Sequence, residues 1–122
     1  MSITIKTGTA DEFFSRARAT ARTLDAGKSV KGGVTISFEK PEEMLRFMSE
    51  RRLKLLRAVR NRPGSIKELA SSVHRKPDAV AKDLRLLNEA GLVVIRKVPN
   101  AKHGTMNYIE PVSDEVRLEA VV

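Results

Sequence analysis

Residues 65–98, SIKELASSVHRKPDAVAKDLRLLNEAGLVVIRKV, constrain the fold more than any other part of the chain. Ser65 has the side chain of a helix cap and Glu68 follows three residues later, the spacing of a capping box. Leu69, Ala70 and Val73 make a short apolar stripe. His74-Arg75-Lys76 interrupts it, and Pro77 then stands where a first helical residue belongs. Val80, Leu84 and Leu87 recur at i, i+4 and i+7, the spacing of a helix with one buried face, and Gly91 is placed to end it. Leu92 to Val98 alternates weakly, as a strand does.

A short helix, a basic turn, a longer helix and then a strand is the element order of a winged helix-turn-helix. The second strand of the hairpin is expected over Met106–Val112, after a polar turn Pro99-Asn100-Ala101-Lys102-His103-Gly104-Thr105. The sequence therefore predicts an α+β fold, mainly α, in which a winged helix-turn-helix carries an N-terminal strand-helix extension.

Upstream, Ile3 to Lys6 alternates as a short strand. Phe13, Ala17, Ala21 and Leu24 lie at helical spacing after the candidate caps Thr9 and Asp11, with Arg16, Arg18 and Arg22 opposite. Gly32-Gly33 closes a loop, and Val34, Ile36 and Phe38 alternate as a half-buried strand that could pair with the first. From Pro41 to Arg62 the pattern is helical but slips near Ser49 and Glu50. Two helices, or one kinked helix, are expected there, with Ser49 as a candidate cap and Pro63-Gly64 as the stop. Met44, Leu45, Phe47 and Met48 form one expected core group; Leu53, Leu55, Leu56 and Val59 form another. A last strand is expected within 113–122. The implied divisions are 1–33, 34–112 and 113–122.

Charge narrows the choice of partner. The 122 residues carry 23 Lys and Arg against 15 Asp and Glu, a net charge of +8. The excess concentrates in residues 41–76, while residues 106–122 are acidic. Such a surface attracts a phosphate backbone through counterion release. The chain has no cysteine, so disulfides and thiolate metal sites are excluded, and two histidines alone make a poor metal site. No apolar run approaches a membrane span, and no spacing typical of catalytic residues stands out. A cytoplasmic, nucleoid-associated, non-enzymatic protein without cofactor or metal is the expectation.

The chain resembles the winged-helix superfamily of prokaryotic transcription regulators, and more closely a group of small bacterial and archaeal DNA-binding or antitoxin-like winged-helix proteins. The resemblance rests on Phe38-Glu39-Lys40-Pro41-Glu42-Glu43-Met44-Leu45, on Arg52 to Ala58, on Ser65 to Ala70 and on the series from Val80 to Val93, and it spans about 34–112. It implies double-stranded DNA as partner and, through the antitoxin-like members, a toxin protein as an alternative one.

With Val80, Leu84 and Leu87 facing the core, Asp78, Ala79, Lys82 and Arg85 fall on the outer face of the second helix, preceded by Arg75 and Lys76. Arginine suits guanine O6 and N7, lysine suits guanine or phosphate, and Ala79 could meet a thymine methyl. Backbone amides of residues 65–68, beginning at Ser65, could hold a phosphate. Arg96, Lys97, Lys102 and His103 would line the wing. Asp83 reads as a helix-face residue or an intramolecular ion-pair partner and not as a base reader. The primary expectation is a sequence-specific, dimeric repressor, because one recognition helix reads few base pairs. The Phe13, Ala17, Ala21, Leu24 stripe would carry the dimer or pack on its own domain. A toxin-neutralising antitoxin and a non-specific chromatin binder are the rival readings.

Overall fold

The computed structural model describes residues 2–7, 34–102 and 104–120. Contacts divide the chain into Met1–Phe47 with Glu115–Val122, and Met48–Asp114. The stripe from Phe13 to Leu24, its arginines, the loop before Val34, and His103 lie outside the described residues.

The first unit is a three-stranded sheet in the order β2-β1-β6, built from β1 (Ser2–Thr7), β2 (Val34–Phe38) and β6 (Glu115–Glu119). Both pairings are parallel: Ile5 lies opposite Ile36 on one side and opposite Leu118 on the other. Because side chains alternate along a strand, these rows put the apolar residues on one face and Thr4, Lys6, Ser37 and Arg117 on the other. Ile3 and Ile5 are almost completely buried. The helix α1 (Pro41–Phe47) starts with proline at its first position, followed by two glutamates that suit a helix N-terminus. It buries Met44, and the Phe47 ring meets Phe38 at 5.7 Å.

Two expectations change here. Leu45 is 63% exposed and leaves the expected core group, since one residue beyond Met44 the helix has turned by about 100°. The division also falls after Phe47 and not before Val34, because the Val34–Phe38 strand finds its hydrogen-bonding partner in β1.

The second unit contains α2 (Glu50–Asn61), β3 (Gly64–Ser65), α3 (Ile66–Ser72), α4 (Pro77–Glu89), β4 (Val93–Asn100) and β5 (Gly104–Pro111). The slip at residues 49–50 is a true break, and Ser49 Oγ caps α2 by accepting the Arg52 N–H at 3.4 Å. Leu55, Val59, Leu69, Val80, Leu84, Leu87, Leu92 and Ile109 are essentially inaccessible to solvent. At roughly 1.5–3 kcal/mol per buried side chain, this core outweighs any cap in holding the unit together.

The antiparallel sheet has the order β3-β5-β4, with Ile95 opposite Ile109 and Lys97 opposite Asn107. The strands run deeper into the expected hairpin turn than its composition suggests, leaving Ala101 to His103 between them. Pro99 is tolerated inside β4 because that strand lies at the sheet edge. Two-residue β3, which the sequence reading lacks, joins the α2–α3 connection to β5. The fold is α+β, a winged helix-turn-helix joined to a parallel sheet in the same chain. Among the described residues no helix is long and apolar enough to cross a membrane.

Candidate nucleic-acid interface

The helix-turn-helix is made by local chemistry. Ser65 Oγ accepts the Glu68 N–H at 3.2 Å, while the Ser65 N–H donates to Glu68 Oε1 at 3.1 Å. These hydrogen bonds from Ser65, backbone first, hold the Glu68 carboxyl below its usual range. The box bears on one expectation. The Ser65 and Glu68 amides of the proposed phosphate cradle are engaged in the box, with the Glu68 carboxylate beside them, so only the Ile66 and Lys67 amides of that group are left outside it.

After α3 the chain turns through a Schellman arrangement: the His74 N–H donates to Ser71 O at 3.2 Å and the Arg75 N–H to Ala70 O at 3.0 Å. His74 holds a left-handed backbone with φ of 55°. Pro77 then opens α4, with Lys76 at the cap position.

Arg75 and Asp83 are where the interior of the motif is electrostatic. Asp83 Oδ2 accepts from Arg75 Nη2 at 2.8 Å, and its Oδ1 accepts from Arg52 Nε at 3.1 Å. The three side chains are only 13–21% exposed, and Arg75 Nη1 is buried without a partner among the described residues. Burial pushes the Asp83 carboxyl up, but hydrogen bonds from Arg75 and Arg52, with the charges behind them, outweigh it and hold it below the ordinary aspartate range. Of the two roles the sequence leaves open for Asp83, the structure shows the ion-pair partner. Arg75, expected at the nucleic acid, is instead turned into the fold, tying the turn to α4 and α2.

The other face of α4 is different. Val80, Leu84 and Leu87 are fully buried, leaving Lys76, Asp78, Ala79, Lys82 and Arg85 exposed. None of Asp78, Lys82 and Arg85 has an ion-pair or hydrogen-bond partner among the described residues. On the hairpin, Arg96 pairs with Glu110 and lies 6.0 Å from the centre of the Tyr108 ring, so its charge is largely answered within the sheet. Lys97 and Lys102 are exposed, with no side-chain partner among the described residues, and the Lys102 N–H donates to Asn100 Oδ1 at 3.2 Å in the turn.

Two residues were missed by sequence reasoning. Arg52 belongs to the Asp83 cluster from 31 positions away, which no local pattern signals. Asn107 lies opposite Lys97 and lines a cleft with Asp78 and Arg85 of α4. Its signal was available: it stands two residues from the core residue Ile109 and therefore shares that strand face.

Residues 48–114 carry fourteen lysines and arginines against seven acids. Once the Arg52–Asp83–Arg75 cluster and the Arg96–Glu110 pair are set aside, the surplus is positive and exposed.

A family model described as HVO_A0114 matches residues 47–110, a span that begins at the boundary between the two units and ends near the end of β5. Among solved structures, the chain is similar to the homodimeric winged helix-turn-helix DNA-binding domain of Mb0332 from Mycobacterium bovis, a possible ArsR-family transcriptional regulator. That similarity has 17% identity and a TM-score of 0.49, covering 88% of this chain and 76% of that one. No curated protein matches the chain.

Proposed function

The chain belongs to the HVO_A0114 family, and we propose that it is a sequence-specific double-stranded DNA-binding transcription regulator, acting as a dimeric repressor and not as an enzyme. One observation carries this reading. In a winged helix-turn-helix unit with excess positive charge, Asp78, Lys82 and Arg85 on the outer face of α4 are exposed and have no ion-pair or hydrogen-bond partner among the described residues, whereas Arg52, Arg75 and Arg96 are paired within the motif. A helix presenting Asp78, Ala79, Lys82 and Arg85 has donors, an acceptor and a methyl group for base edges in the major groove. Lys76, Lys97 and Lys102 supply phosphate contacts that set affinity but not sequence. Such a protein works on the nucleoid in the cytoplasm. A dimer follows from the few base pairs that one α4 can read.

The test is selection from random duplex DNA by the purified chain at about physiological salt. A palindromic motif with half-sites about one helical turn apart supports the dimeric regulator. Lys82→Ala with Arg85→Ala should then weaken binding to the selected site by on the order of 2–4 kcal/mol, the value of one or two good base contacts. Salt-sensitive binding without a motif would replace this reading with a chromatin-type role. Absence of DNA binding, with a toxin copurifying, would replace it with the antitoxin reading.

A further inference from the structure

The cleft between α4 and the hairpin has an apolar floor of Ile66, Leu84 and Ile95 and a polar rim of Asp78, Arg85 and Asn107. The rim residues come from two elements distant in sequence, α4 and β5. All three are exposed, and none has a hydrogen-bond or ion-pair partner among the described residues. This unpaired amide beside an unpaired guanidinium contrasts with Arg96 and Asn100 of the hairpin, which are matched to Glu110 and to the turn backbone. Backbone pairing fixes Asn107 within β5, with Ile109 anchoring the same strand face in the core, so the amide is displayed from a rigid element and not from the turn.

We propose that Asn107 is a specificity-determining residue, and that the α4–hairpin cleft takes the edge of one base pair next to the pair read by Arg85. This rests on the DNA-binding reading. The chemistry selects the base: a side-chain amide offers a donor and an acceptor side by side, which match adenine N7 and N6, while Arg85 matches guanine O6 and N7. Asp78, on the same rim, accepts a hydrogen bond from cytosine N4 and repels phosphate. The cleft therefore favours a base edge over backbone. The reading surface is composite, with α4 giving most of the contacts and the base of the hairpin adding one.

The experiment measures affinity of the full chain for the duplex it selects and for every single-base-pair variant of that duplex. Asn107→Ala should lower affinity for the selected duplex about tenfold to a hundredfold and abolish base preference at one position adjacent to that relaxed by Arg85→Ala. The salt dependence should stay unchanged. Asn107→Asp should move the preference at that position toward cytosine. Because Asn107 is exposed, circular dichroism and the unfolding midpoint should match the wild type. Equal losses on all duplexes, or an unchanged preference profile, would overturn the assignment while leaving DNA binding intact. A wild-type chain that selects no motif overturns both.

Discussion

α4 is entered and left through turns of the same backbone form. Before it, His74 and Arg75 donate to Ser71 O and Ala70 O; after it, Gly91 and Leu92 donate to Asn88 O and Leu87 O, at 3.0 and 2.9 Å. Each turn needs one residue in the left-handed region, His74 at φ 55° and Gly91 at φ 82°. Glycine adopts that conformation without steric cost, whereas a residue with a Cβ gives up roughly 1–2 kcal/mol. The strained turn is also the one flanked by the Arg52–Asp83–Arg75 cluster. The leading end of α4 is held by charge across three elements; the trailing turn has no ion pair among the described residues and rests on its glycine together with buried Leu87 and Leu92. Ionic attachment can thus hold a turn whose backbone is unfavourable, and it fixes the end of α4 that carries Asp78 and Ala79.

Removing the cluster tests that contrast hardest. Asp83→Ala leaves two mostly buried arginines without their shared carboxylate and should cost about 2–3 kcal/mol in chemical denaturation; a loss below about 0.5 kcal/mol, no more than an exposed pair gives, would mean that the cluster holds nothing. The same carboxylate gives a pH signature. Its folded pKa is depressed, so its contribution is complete above the ordinary aspartate value of 3.8 and disappears as pH falls through the lower folded value. Stability curves of the wild type and Asp83→Asn, measured against pH, should converge in that acidic range and remain parallel above it.

At the trailing end, Gly91→Ala meets no atom within 4 Å of its new Cβ. Any loss is conformational strain, expected at about 1 kcal/mol in the unfolding midpoint; a neutral result would erase the difference between the turns. The smallest effect is His74→Gly, which relieves strain but adds chain entropy in the unfolded state. It should stabilise by roughly 0.5 kcal/mol, and destabilisation would show that the imidazole makes an interaction worth more than the strain.

Legibility in the sequence followed the range of the interactions. The capping box, Ser49, Pro77 and Gly91 act within four residues of themselves, and the buried row Val80, Leu84 and Leu87 declares itself by spacing. The outer face of α4 followed from that row, so the exposure of Lys82 and Arg85 could be read by elimination. Arg75 was misread because a cation in a turn looks the same whether it faces solvent or Asp83, and only the fold brings Arg52 to the same carboxylate. The Arg96 ion pair was hidden for a related reason: its partner Glu110 lies on the neighbouring strand. Leu45 matched an apolar pattern that a two-turn helix cannot bury in full. Two-residue β3 is too short to have a pattern at all.

The pairing of Ser2 with Glu115 carries a consequence for the order in which this protein is made. The winged unit is nested in sequence between the strands of the parallel sheet, so everything needed for its core has been synthesised by Asp114. The sheet must wait for β6, which is synthesised after the whole winged unit, and its closure joins strands that flank that unit in sequence. Folding on the ribosome should therefore reach the winged unit's core before the parallel sheet is complete, with β1 gaining its second neighbour only after β6 emerges.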